Sequence, residues 1–184
     1  MKKFNLVAVA ALFVGAMFVQ SCEKEPTTTT PKTTTGIVEM SVNGKSWASN
    51  KNGEMLINGE DTLYGCEAIL EDGIITLSAT NFKDSSVIGF NFVLTPAVTG
   101  TYSGKADFTA DDYALYAPKA DVMTLLTLLM NYDITYSVTL TKVDKTTGLC
   151  SGIFTITQTD KASTGMGNFN ITNGKFTDVK ITVL

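Results

Sequence analysis

Between Ile134 and Thr141 apolar side chains alternate with hydroxyl-bearing ones without a break. A side-chain period of two places one set of residues on a buried face and the other on a wet face of a strand, and no helix satisfies it. The same alternation sets Ile75, Leu77 and Ala79 against Thr76, Ser78 and Thr80. It returns in Ile88, Phe90, Phe92 and Leu94 before Pro96 ends the run. Phe154 with Ile156, Phe169 with Ile171, and Val179, Ile181 and Val183 continue the pattern to the C-terminus. Turn signals separate these runs: Asn43-Gly44, Asn52-Gly53, Asn58-Gly59, Asp72-Gly73, Thr147-Gly148 and Asn173-Gly174. Such pairs suit the positive φ of tight hairpins, so consecutive strands are expected as antiparallel neighbours. About eight to ten short strands over residues 37–184 predict a single all-β domain, an antiparallel β-sandwich or a closed β-barrel.

One segment departs from the period. Val122, Leu125, Leu126 and Leu129 fall at i, i+3, i+4 and i+7, and Asp121 stands where an N-cap belongs. The spacing predicts one short helix near 121–131, a plug for one end of the sheet assembly or a lid at a ligand mouth.

The N-terminus carries an address. Lys2 and Lys3 precede an apolar run from Phe4 to Val19, broken only by Asn5 and Gly15. A membrane-spanning helix needs about 20 apolar residues, so the run fits a secretory h-region better. Val19-Gln20-Ser21-Cys22 then resembles a bacterial lipobox. The resemblance implies a signal peptide over 1–21, cleavage before Cys22, and acylation of that cysteine. A thiol-linked diacylglycerol and an N-acyl chain anchor a protein durably, each buried methylene contributing about 0.8 kcal/mol. Residues 22–36 follow as a lipidated cysteine and a Thr/Pro-rich tether, with Thr27-Thr28-Thr29-Thr30-Pro31 at its centre. Such a segment cannot form a core and stays extended. Threonines there, or Thr62 in Asp61-Thr62-Leu63, are candidate O-glycosylation positions.

Composition narrows the chemistry of the remaining domain. All 14 basic residues among the 184 are lysine, and histidine is absent. Ser-His-Asp and Cys-His catalysis, histidine-ligated zinc and an arginine fork for phosphate are therefore excluded. A net charge of −4 argues against a nucleic-acid partner. Cys66 shares a face with Ala68 and Leu70, and Cys150 with Phe154 and Ile156, so both point to the core. They form either a disulfide, in an oxidising compartment, or two packed thiols. The acids Asp107, Asp111 and Asp112 lack the spacing of an EF-hand loop and read as a solvated loop. No metal or other cofactor is expected. Trp47 and six tyrosines offer stacking surfaces. Tyr136 belongs to the core by its phase, whereas Tyr113 and Tyr116, beside the acids, are the candidate exposed ligand contacts.

Three passages carry a family resemblance. Asn43-Gly44-Lys45-Ser46-Trp47, Ser151-Gly152-Ile153-Phe154 and Ile171-Thr172-Asn173-Gly174-Lys175-Phe176 occur in this order. They resemble the NGK-x-W opening, the SG-x-F passage and the closing ITNG-x-F of a group of Bacteroidota lipoproteins of uncharacterised function. The resemblance implies an all-β envelope domain and brings no catalytic or ligand residue with it.

The expected function is that of a lipid-anchored lipoprotein of a Gram-negative outer membrane, facing the surface or the periplasm. It is expected to be non-enzymatic and monomeric, meeting the membrane through Cys22, with a glycan, host protein or envelope protein as partner. A lipocalin-like barrel for a small apolar ligand and a surface glycan-binding accessory lipoprotein are the alternatives. A paired-carboxylate enzyme would need two acids facing each other across a cleft.

Overall fold

The computed structural model describes residues 36–51, 54–57, 61–71, 73–93, 99–106, 113–144 and 146–183. Cys22 and the tether to residue 35, Asn52-Gly53, Asn58-Gly59, Asp72, Leu94, Pro96 and the acids Asp107, Asp111 and Asp112 lie outside them. The described residues form β1 (Ile37–Val42), β2 (Lys45–Ala48), β3 (Glu54–Ile57), β4 (Asp61–Tyr64), β5 (Cys66–Glu71) and β6 (Ile74–Asn81). Then come β7 (Ser86–Val93), β8 (Gly100–Lys105), β9 (Tyr113–Ala117), α1 (Val122–Asn131), β10 (Tyr132–Asp144), β11 (Leu149–Asp160) and β12 (Phe169–Val183). Eight strands run in the order β8-β10-β11-β12-β5-β6-β7-β9, with β1 on β12, β2 on β1, and β3–β4 as a separate hairpin. β9 comes round to approach β10 and β11, so the sheet is a nearly closed barrel.

The alternation read from sequence sets which face is inside. Tyr132, Ile134, Tyr136, Val138 and Leu140 of β10 are buried, as are Ile75, Leu77 and Ala79 of β6. The Asn43-Gly44 hairpin forms as expected, with φ of 50° and 81° joining β1 to β2. Asn43 also uses its side chain as a strand would. Its Nδ2 donates to the Asn168 carbonyl at 2.9 Å, and its Oδ1 accepts from the Asn170 N–H at 2.7 Å.

Asn173-Gly174 is not a hairpin. It lies inside β12, which runs unbroken where sequence suggested two strands. Inward positions along β12 are Phe169 and Ile171, then Gly174 and Phe176, then Val179 and Ile181. Each break in the period of two is a β-bulge with a left-handed residue, Asn173 (φ 52°) and Asp178 (φ 49°). A bulge adds a residue, bends the strand and resets its phase. The bends let β12 pair with β1 and β11 and then, by Ile181–Val183, lie parallel to β5. That parallel pairing also departs from the all-antiparallel expectation.

Two Gly-x-Phe segments interlock at the barrel's middle. Gly152 of β11 pairs with Phe176 of β12, and Phe154 pairs with Gly174. Each ring lies over the opposite glycine, in the space that a Cβ would fill. Phe90 of β7 completes the cluster, with ring centroids 4.6 Å from Phe154 and 6.2 Å from Phe176. The two sequence passages are thus one packing device seen from its two strands.

The helix forms where expected, and the Asp121 carboxylate accepts from the Thr124 N–H at 2.7 Å. Its buried face is rotated from the expected one. Leu125 and Leu128 are buried and Leu129 packs beside them, while Val122 is 46% exposed. Met123, Leu128 and Met130 widen the apolar stripe beyond the expected four residues, so spacing alone could not choose the face. Packing against β9 and β10 makes the choice. Val87, Gly89, Leu115 and Ala117 are buried as well, so β7 and β9 are covered on both faces.

Candidate functional site

Cys66 and Cys150 are free thiols in the core. Cys150 stands opposite Val179 of β12, and β5, the strand of Cys66, pairs with β12 from its other side at Ile181–Val183. Two strand spacings of about 4.8 Å therefore separate their backbones, beyond the ~7 Å reach of a disulfide. The packed-thiol reading is the one the geometry supports. Burial pushes Cys66 up to about 12, helped by the neighbouring Cys150 and Glu67. Burial likewise pushes Cys150 to about 12, with Asp178 adding to it. The thiolate is the reactive form, so both groups are inert at neutral pH. A thiol-specific disulfide reagent at pH 8 is expected to leave both untouched in the native protein and to modify both after denaturation.

The same shifts have a thermodynamic sign. The fold favours the neutral thiol, so stability is undiminished below the unfolded value near 9 and declines as pH rises from there towards 12. At pH 11 the loss is on the order of 2–3 kcal/mol per thiol. Urea midpoints measured from pH 8 to 11 should fall, and a Cys66→Ala/Cys150→Ala variant should show a shallower decline.

Tyr113 and Tyr116 are not exposed. They stand on β9, and Tyr116 retains 6% of its surface, with Tyr113 half-buried against the core. Burial raises the hydroxyl pKa of both. The acidic segment ends before them, and β9 turns Tyr116 inward into a line of rings. The Tyr116 ring meets Trp47 edge-on at 6.5 Å and Phe169 at 5.5 Å, and Phe169 stacks on Tyr132 at 6.2 Å. Polar tips on this line are bonded. Trp47 Nε1 donates to Ser86 Oγ at 2.6 Å, Ser86 Oγ donates to the Asp84 carboxylate, and Tyr132 Oη donates to the Gly167 carbonyl at 2.7 Å. Rings held in this way fill one end of the barrel and cannot serve as an open stacking platform.

No family model, curated protein or solved structure matches this chain.

Sequence reasoning missed Gln158. It follows Phe154 and Ile156 on the core face of β11 and is fully buried. Its Oε1 accepts from the Tyr116 N–H at 2.7 Å and its Nε2 donates to the Tyr116 carbonyl at 3.0 Å. The amide replaces the missing backbone partner of β9 and seals the barrel wall there. A polar residue in an apolar phase was the available signal.

The domain also has two distinct ends. The chain enters at Gly36, against Asp178 and Val179. At the far end of β1, Asn43 bonds Asn168 and Asn170, beside the loop whose Lys161 N–H bonds the last helical carbonyl, Asn131. Gly36, the first described residue, thus lies at the end away from α1. Among the described residues no helix is long and apolar enough to cross a membrane. No group of three or more Cys, Asp or Glu is placed there to hold a metal.

Proposed function

We propose that the chain is a lipid-anchored lipoprotein of the bacterial cell envelope whose β-barrel-like domain has a non-enzymatic binding or structural role, akin to the Bacteroidota lipoproteins it resembles. The carrying observation is Val19-Gln20-Ser21-Cys22 behind a lysine-led apolar run, with a Thr/Pro-rich tether leading to β1. The entry point supports this reading, because a chain anchored there presents the opposite end, with α1, away from the bilayer. Phe90, Phe154 and Phe176 occupy the middle of the interior, which favours the outer surface over an apolar-ligand cavity as the working part.

The test is metabolic labelling with a fatty-acid analogue in cells making the wild type or Cys22→Ala. The wild type should carry label and partition into detergent, and the variant should lose both. Protease treatment of intact cells, with a tag after Leu184, then reads the surface or periplasmic orientation. An unlabelled wild type, or label retained by Cys22→Ala, would overturn the anchor.

A further inference from the structure

We propose that a Cys66–Cys150 disulfide is a folding trap, and that the domain is completed only while both thiols are reduced, because β12 must lie between them. Strand order is the reason. β11, which holds Cys150, and β5, which begins at Cys66, are not neighbours in the sheet; β12 separates them and pairs with both. A bridge needs Cα atoms within about 7 Å, and two strand spacings of ~4.8 Å exceed that. Bridging therefore requires β12 to be out of place.

Losing β12 is not a local defect. It links β8-β10-β11 to β5-β6-β7-β9, and β1 with β2 is attached through it. Its Ile171, Phe176 and Val179 are fully buried. Chain order opens a window for the trap. Residues 169–183 follow both cysteines, so a chain delivered N-terminus first presents two thiols before the strand that separates them arrives. If the envelope reading above holds, that delivery is into an oxidising compartment.

In the unfolded chain each thiol has an ordinary pKa of about 8.5 and reacts as its thiolate. One thiolate attacks a small disulfide such as oxidised glutathione, forming a mixed disulfide and releasing one glutathione thiolate. The second cysteine attacks that mixed disulfide and releases the other. The chain loses two electrons and two protons, and one oxidised glutathione becomes two reduced molecules. In the completed domain both cysteines are wholly buried, which closes the route.

The test uses the chain from residue 22 onward with Cys22→Ala, which leaves Cys66 and Cys150 as its only thiols. Trp47, the single tryptophan, is buried on β2 and so reports whether β12 has brought β1 and β2 into place. Oxidised glutathione at pH 8 should bridge the folded protein roughly a hundredfold more slowly than the chain in urea. The bridged monomer, isolated and diluted from urea, should keep the red-shifted emission of an exposed Trp47, and dithiothreitol should restore the blue-shifted emission. Cys66→Ala/Cys150→Ala should refold alike with or without oxidant; if that variant fails to fold, dithiothreitol acting on the bridged chain is the comparison. Alkylating thiols in intact cells and mapping the folded wild type needs no refolding, and should find Cys66 and Cys150 unbridged. A bridged chain that buries Trp47, an unfolded chain that does not bridge, equal bridging rates in both states, or a bridge in folded protein from cells would overturn the proposal. None of these readouts depends on Cys22, so the lipid-labelling result stands independently.

Discussion

Gly152→Ala is expected to lower the unfolding free energy by about 3 kcal/mol or more, a large part of the stability of a domain this size. An alanine Cβ at this position would meet the Phe176 ring and would lie 2.5 Å from the Thr139 carbonyl oxygen of β10. The ring could tilt, but the carbonyl belongs to the β10–β11 ladder and cannot move without breaking it. Gly174→Ala differs in one respect that makes the pair informative. Its Cβ would meet side-chain atoms of Phe154 alone among its three nearest neighbours. That ring is confined by Phe90 and Phe176, so the cost should still be about 2 kcal/mol. Shortening the obstructing ring separates the two cases. Phe154→Leu should recover part of the loss in a Gly174→Ala background, giving a favourable coupling of about 1 kcal/mol in a double-mutant cycle. Phe176→Leu should not rescue Gly152→Ala, because the Thr139 carbonyl remains. Urea unfolding of the four singles and two doubles measures all of this. A loss below 1 kcal/mol for Gly152→Ala would show that the strands part more easily than their packing implies.

These glycines also mark how far the sequence could be read. Ile134–Thr141 announced its strand because its period is unbroken, and Asp121 announced its cap because capping is local. Asn173-Gly174 misled for the opposite reason. The pair has turn chemistry, and Asn173 does adopt positive φ, yet it serves a bulge whose existence depends on β1 and β11 lying on either side. Two bulges reset the phase of β12, so its one strand resembles several. The parallel contact of its last residues with β5 joins parts of the chain more than 100 residues apart, which no local signal encodes. Tyr113 and Tyr116 failed as exposed contacts because neighbouring acids say nothing about burial on a strand covered from both sides. Of the candidate site residues, Cys66 and Cys150 were placed correctly in the core by phase, and their pairing state rested on strand order. The hydroxyl face was visible as alternation.

Gln158→Leu is expected to cost about 2–4 kcal/mol, although leucine is close in size and better suited to an apolar core. The loss comes from the partner. Tyr116 of β9 would keep a buried N–H and a buried C=O with their bonds removed, and each such group costs about 1–3 kcal/mol. Gln158→Glu distinguishes this account from simple packing. At neutral pH a carboxylate could accept from the Tyr116 N–H but would face the Tyr116 carbonyl oxygen, so the charged form is penalised by both burial and repulsion. The folded state would raise the glutamate's pKa, and the penalty would shrink as pH falls below that raised value. Once protonated, the acid has one donor and one acceptor, as glutamine does, and can restore both bonds. The stability difference between wild type and Gln158→Glu should therefore narrow from pH 7 to pH 5, while that of Gln158→Leu stays level. Parallel losses for the two variants at both pH values would mean that the amide fills space and does not hold β9. The predicted divergence would show that a single side chain completes the barrel wall where the backbone ladder stops.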